Sequence, residues 1–215
     1  MINLQESQAG MMELLYGDKP ANLRFALQTA CLSAMQSLEP NGRLARLLAP
    51  FVNQPLPARE VLYPLLKNAR GILFHSHLDA LYAIDELWLS GKLNKFETTP
   101  VSYEEQAKWR DELVKLIHGM SYKTVSFALL IYSPLACQLI PIDRHHLRRL
   151  DLNPNRTPTG KKYLAIELSI LAERDEQGFQ AIPLGTYSAM LWGIARDGIN
   201  AESYPSHKKL SCRWY

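Results

Sequence analysis

The sequence predicts an all-α protein, and two observations support this prediction. Apolar residues recur at helical spacing in nearly every regular segment, for example at Phe25, Ala26 and Ala30. Alternation of apolar and polar residues, which is typical of half-buried strands, never lasts long enough to build a sheet. We therefore expect a chain of helices arranged as two helical lobes.

Capping and terminating residues place the individual helices. Gly42 and Gly91 each follow an apolar helical segment, and Ser102 with Glu105 forms a capping box that opens another helix. Asp85 and Glu86 are adjacent helix positions, which we expect on a solvated face. The predicted helices cover, in chain order, about 22–38, 43–52, 58–66, 72–89, 102–117, 122–132, a helix starting at 143, 161–176 and 184–195.

Composition restricts the class of protein. The hydrophobic fraction of 47% is ordinary for a soluble globular chain, and no apolar run approaches the roughly 18 residues that a membrane span needs. The N-terminal residues do not resemble a signal peptide. Cys31, Cys137 and Cys212 are far apart and odd in number, which argues against a disulfide framework and a cysteine-rich metal site. We expect a monomer in a reducing cytoplasm, with no membrane partner.

Positive charge is concentrated in the C-terminal third. From Arg144 to Lys162 there are six basic residues and one acid, Asp151, and three more basic residues lie between His207 and Tyr215. A polyanionic partner is one interpretation of this distribution. A solvated helix face is the other, and charge alone does not decide between them.

A tight turn joins two of the predicted helices. The tetrapeptide His118-Gly119-Met120-Ser121 separates a helix ending at Ile117 from one starting at Tyr122. Gly119 can adopt the positive φ that such a turn requires, and Ser121 can cap the second helix. The unpaired N–H groups at the start of that helix suit an anion such as a DNA phosphate, although many helix pairs turn on a glycine without binding anything.

Lys123 lies in the first turn of an otherwise apolar helix. The helix dipole and the apolar neighbours both disfavour a cation, so we expect a lowered pKa that leaves more free amine to act as a nucleophile. The alternative is a surface lysine whose ammonium group reaches solvent.

Asp143 follows an apolar segment and opens a basic helix, where it is expected to be the N-cap. A cap needs no further function. However, a carboxylate held by backbone N–H groups stays ionised, and it could stabilise a cationic transition state or accept a proton from a lysine.

Two stretches together resemble a known family. "GMSYKTVSFAL" at 119–129 and "IDRHHLRRL" at 142–150 resemble the helix–hairpin–helix DNA glycosylases with the Gly/Pro–Asp signature. They are most similar to the archaeal-type 8-oxoguanine glycosylase branches, which also carry a tryptophan in a C-terminal helix like "LGTYSAMLWGIARDG" at 184–198.

The resemblance implies a reaction and a partner. Lys123 would attack the sugar C1′ and form a Schiff base, with Asp143 assisting by electrostatics and proton transfer. The partner would be damaged duplex DNA in a nucleoid-associated setting, with the target nucleotide flipped into a cleft between the lobes. The implied contacts with DNA come from the hairpin and the basic helix, namely Gly119, Met120, Ser121, Arg144, His145, Arg148 and Arg149.

The resemblance also implies details of the pocket and the domains. Trp192 would stack on the flipped base, although it could equally be a core anchor. The predicted lobes are 1–54 with 152–215, and 55–151, which contains the helix–hairpin–helix at about 103–134. An iron–sulfur cluster is not expected because only Cys212 lies in the relevant region, and a monovalent cation at the hairpin is the one possible cofactor.

The sequence departs from the family in the hairpin, before the tryptophan, and at its end, where some members have a lysine that helps to read 8-oxoguanine and this sequence has "SCRWY". The hairpin has Ser121 where relatives commonly have a second glycine, and Ser188 stands four residues before the tryptophan where the related branches often have an acid. The preferred lesion is expected to be 8-oxoguanine. The same chemistry on an oxidised pyrimidine or other modified base, and a helix–hairpin–helix module that binds DNA without catalysis, remain alternatives.

Overall fold

A computed structural model of the protein describes residues 22–33, 47–70 and 75–197, and every regular element within these ranges is helical. This confirms the all-α prediction for the described part of the chain. Two short 3-10 helices cover Ala49–Phe51 and Asn94–Phe96. The α-helices are α1 (Leu23–Ser33), α2 (Arg59–Arg70), α3 (His75–Leu89), α4 (Tyr103–Leu116), α5 (Tyr122–Tyr132), α6 (Arg144–Arg149), α7 (Gly160–Glu176) and α8 (Leu184–Asp197).

Helices α1 to α5 enclose the first of two hydrophobic clusters. α1 packs against α3 and α5, and its Leu27 is completely buried. The cluster includes Leu81 of α3, Leu113 of α4 and Leu129 of α5. Apolar residues at these helical spacings give each helix one buried stripe, which accounts for the packing.

The second cluster lies among α6, α7 and α8. Its centre contains Ile140, Leu147, Tyr163 and Leu184, all of them buried. The buried members of the first cluster all precede residue 140, and those of the second lie at 140 or later. The predicted lobe boundaries, in contrast, are at 54 and 151. Since a hydrophobic cluster is not the same as a domain, the predicted lobes and the cleft stay predictions.

A buried ion pair connects the two clusters. Arg110 of α4 donates from Nη1 to both carboxylate oxygens of Glu167 on α7, at 2.7 and 2.8 Å. Tyr103 donates to Glu167 Oε2, and the N–H of Ile140 donates to Oε1. Burial lowers the pKa of Arg110, but the charge of Glu167, its hydrogen bond to Arg110 and the nearby hydroxyls of Tyr163 and Tyr103 together outweigh this effect and leave the pKa raised. Burial, reinforced by Glu167, raises the pKa of Tyr103 and of Tyr163.

A second buried ion pair corrects one sequence expectation. Asp85 is buried and pairs with Arg24 of α1, which also donates to the carbonyls of Phe51 and Gln54. The side chain of Asp85 therefore faces the core because a partner satisfies its charge. Its neighbour Glu86 is exposed, as expected.

Helix α8 lies very close to the segment that follows α5. The N–H of Gly185 donates to the carbonyl of Cys137 at 2.9 Å. A Cβ on Gly185 would lie 2.9 Å from Leu130 Cδ1 and 3.0 Å from the same carbonyl oxygen. Glycine is thus required for this approach of α8.

None of the helices within 22–33, 47–70 and 75–197 has the length and apolar character needed to cross a bilayer.

Candidate functional site

Helices α4 and α5 are joined by the turn that the sequence predicts. Ile117 caps the end of α4, and the N–H of Met120 donates to its carbonyl at 3.1 Å. Gly119 has a φ of 90°. Ser121 caps α5 and accepts from the N–H of Thr124 at 3.2 Å. The side chain of Met120 belongs to the first hydrophobic cluster, so only its backbone could face a ligand.

Replacing Gly119 by alanine should destabilise the fold. The new Cβ would combine a positive φ with a separation of 3.0 Å from the carbonyl oxygen of Ser76, and the expected loss in the free energy of unfolding is about 1–3 kcal/mol. Urea unfolding measures this loss. Gly178→Ala is the matched control, because Gly178 has a φ of 79° but no atom within 4 Å of the added Cβ. Equal losses in the two variants would show that the contact with Ser76 is unimportant.

Lys123 lies in the first turn of α5 and is half-buried. Its ammonium group forms no hydrogen bond or ion pair with another described residue. Its neighbour Tyr122 packs against Tyr163, with ring centroids 5.4 Å apart. Lys123 thus combines partial burial with an amine that is not committed to a carboxylate.

Asp143 is the N-cap of α6, as predicted. Its Oδ1 accepts from the N–H groups of His145 at 2.9 Å and His146 at 3.2 Å. The ring Nδ1 of His146 lies 2.9 Å from the same oxygen. The side chain of Asp143 is 16% exposed, so the carboxylate is held firmly and still reaches the surface.

Asp143, His146 and Ser188 form a continuous chain of hydrogen-bonding groups, which the sequence did not predict. His146 Nε2 lies 2.8 Å from Ser188 Oγ on α8. The order of groups matches that of Ser–His–Asp hydrolases. However, His146 is 2% exposed and Ser188 is completely buried, so a substrate could not reach the hydroxyl. The spacing of His146, three residues after the N-cap Asp143, is the sequence signal that points to it, because a side chain at that position of the first turn can reach the cap.

Tyr163 connects the start of α5 to the start of α6. Its ring contacts Tyr122, its hydroxyl accepts from the N–H of Ile142 at 3.0 Å, and it donates to the carbonyl of Ile140 at 2.5 Å. Lys123 and Asp143 each directly follow a residue that contacts Tyr163. Tyr163 therefore contacts the chain neighbours of both predicted catalytic residues.

The predicted phosphate contacts on α6 differ in their surroundings. Arg144 and Arg148 are exposed. Arg149 pairs with Glu173 of α7 through both guanidinium nitrogens, with Nη1 at 2.9 Å, so a phosphate would have to compete with that carboxylate. Burial, together with nearby Arg144 and Arg148, lowers the pKa of His145 despite the opposing charge of Asp143. His145 is therefore neutral at pH 7.5.

These differences predict unequal salt effects on DNA binding. Arg148→Gln should reduce the slope of log affinity against log salt by about one phosphate contact. Arg149→Gln should change it less, since Arg149 is already paired. His145→Asn should leave the slope unchanged at pH 7.5. Fluorescence anisotropy with a duplex oligonucleotide at several salt concentrations measures all three. Equal slopes for the two arginine variants would contradict the assignment.

The predicted base-stacking role of Trp192 and the predicted cation at the hairpin are not tested by the described residues. Trp192 lies on α8, but its side chain falls outside the described part. No group of three or more His, Cys, Asp or Glu side chains within 22–33, 47–70 and 75–197 is arranged to hold a metal ion. The monovalent cation at the hairpin stays a prediction.

Comparison with known proteins identifies no similar protein. Protein-family models, curated proteins and solved structures all give no match to this chain. The functional argument therefore depends on the residues and their geometry.

Proposed function

We propose that this protein is a DNA glycosylase with AP lyase activity that removes an oxidised base, with 8-oxoguanine preferred, from duplex DNA. The observation that supports the proposal is that Tyr122 and Ile142, the residues directly before Lys123 and Asp143, both contact Tyr163. An uncommitted lysine and a fixed, partly exposed carboxylate are the two groups that this chemistry needs.

The reaction assigns a step to each group. Nζ of Lys123, as the free amine, attacks the sugar C1′, and the N-glycosidic bond breaks as the base leaves with the electron pair and takes up a proton. Ring opening breaks the bond between C1′ and O4′, transfers a proton from the nitrogen to O4′ and gives a Schiff base. Removal of a proton from C2′ expels the 3′-phosphate by β-elimination, and hydrolysis of the imine releases the lysine. Asp143 stabilises positive charge at C1′ and accepts protons.

The hairpin supports a role in holding the DNA backbone. The N–H groups of Tyr122 and Lys123, at the start of α5, have no acceptor among the described residues. Such groups bind phosphate oxygens well. The exposed Arg144 and Arg148 supply the accompanying positive charge.

Borohydride trapping tests the proposal. The protein is incubated with duplexes that carry 8-oxoguanine, an oxidised pyrimidine or an abasic site, and the reductant converts a Schiff base into a stable secondary amine. We expect an adduct with wild type, none with Lys123→Gln, and an unchanged adduct with Lys108→Gln, whose lysine is exposed in the middle of α4.

The other outcomes separate the alternatives. An adduct on the oxidised pyrimidine but not on 8-oxoguanine would support the Schiff-base mechanism and assign an oxidised pyrimidine as the substrate base. Duplex binding without any adduct would favour a DNA-binding module that does not form a Schiff base. An adduct that persists in Lys123→Gln would assign the nucleophile to another lysine.

A further inference from the structure

The histidine next to Asp143 in space has no access to a substrate. His146 is 2% exposed, and both of its ring nitrogens contact protein groups. We infer that His146 is a positioning residue, which fixes the Asp143 carboxylate through Nδ1 and is itself fixed by Ser188 through Nε2. An effect of His146 on base excision rests on the function proposed for Asp143.

Three donors converge on one oxygen of the carboxylate. The N–H groups of His145 and His146 lie in the same chain segment as Asp143, and they are present in any helix with an aspartate cap. The imidazole Nδ1, at 2.9 Å, is the additional donor. Hydrogen bonds to a carboxylate favour its ionised form, and the third bond also restricts rotation of the group.

The distances select one tautomer of the ring. Nδ1 is 2.9 Å from Asp143 Oδ1 but 3.4 Å from the backbone N of Asp143, and a single nitrogen cannot donate to one and accept from the other. The shorter contact, to a carboxylate, requires a proton on Nδ1. In the neutral ring Nε2 then accepts from the hydroxyl of Ser188 at 2.8 Å.

Ser188 links the carboxylate to the position of α8. It is completely buried, and α8 is held against the segment after α5 by the close approach of Gly185 to Cys137. The serine therefore occupies a fixed point from which it can orient the imidazole. Ser188, where the resembled branches often have an acid, would thus orient the imidazole of His146.

Two isosteric variants separate positioning from packing. His146→Asn keeps an N–H donor near the position of Nδ1. Leucine has almost the same shape as asparagine but no donor, so His146→Leu removes the hydrogen bond. Single-turnover excision at saturating protein is expected to fall about 10- to 100-fold in His146→Leu, and clearly less in His146→Asn. Duplex affinity should be unchanged in both, because neither side chain contacts DNA. Ser188→Ala, which leaves the histidine in place, should give a smaller loss in the same direction.

The pH profile supplies a readout that packing would not alter. Loss of the Nδ1 donor makes the ionised carboxylate less favourable, so the acid limb of the excision rate should move to higher pH in His146→Leu. Among the described charged groups near Asp143, Arg144 and Arg148 are exposed, and Arg149 is paired with Glu173 on α7. His145 does titrate, so the shift should also be observed in a His145→Asn background.

Nitrogen-15 NMR of the imidazole tests the contact without any enzymatic assay. The expected spectrum is that of the Nδ1–H tautomer. An Nε2–H tautomer, or equal rates and pH profiles for His146→Leu and His146→Asn at equal folded fraction, would overturn the inference. If the wild type neither excises a base nor forms an adduct, the proposed function fails, and the NMR measurement still decides whether His146 donates to Asp143.

Discussion

Asp143→Asn should slow base excision by about 100- to 1000-fold while leaving the stability of the fold almost unchanged. Asparagine is as good an N-cap as aspartate, so its amide oxygen can still accept from the N–H groups of His145 and His146 that Asp143 now satisfies. The variant therefore removes the negative charge and keeps α6. Single-turnover excision measures the rate, and thermal unfolding measures the stability.

Asp151→Asn is the matched control for this prediction. Asp151 follows the other end of α6, is exposed and has a φ of 53°, a conformation that asparagine tolerates. Its charge should have little effect on excision. If Asp143→Asn excises at the wild-type rate, the carboxylate is only a helix cap. A large loss of stability in the same variant would mean that its charge holds the fold.

Breaking the Arg110–Glu167 pair should have the largest effect on stability. Arg110→Met leaves the Glu167 carboxylate completely buried with its charge uncompensated, and removal of one partner from such a pair costs about 3–5 kcal/mol of unfolding free energy. Glu167 also holds the N–H of Ile140, so the segment that leads to Asp143 should loosen. Denaturant unfolding measures the loss.

A double variant and an exposed pair control this measurement. Arg110→Met combined with Glu167→Leu removes both charges, and much of the stability should return. The Arg59–Asp79 pair, whose side chains are 47% and 50% exposed, should contribute less than about 1 kcal/mol when Asp79 is changed to Asn. Simple addition of the two single losses in the double variant would exclude a coupled pair.

The helices could be predicted from the sequence because their signals are local. The capping box at Ser102, the glycine turn at Gly119 and the N-cap at Asp143 each depend on residues a few positions apart. Within the predicted helix 43–52, the described residues are α-helical at 47 and 48 and form the 3-10 helix Ala49–Phe51 after them.

The contacts that position the site could not be predicted, because they join distant parts of the chain. Ser188 is 42 residues from His146, and Glu167 is 57 residues from Arg110. Asp85 shows the same limit: its spacing fits a solvated face, and only the approach of Arg24 from 61 residues away accounts for its burial. A single sequence contains no record of such pairs.

The packing of α8 on Cys137 makes the reactivity of this thiol a measure of how often α8 separates from the segment around Cys137. Burial raises the pKa of the Cys137 thiol to about 12, so at neutral pH the group is protonated and inert toward alkylating reagents. Reaction therefore requires the segment around Cys137 to separate transiently from α8. The rate of iodoacetamide labelling at Cys137, followed by peptide mass spectrometry, would measure how often α8, which carries Ser188, separates from this segment in the native protein.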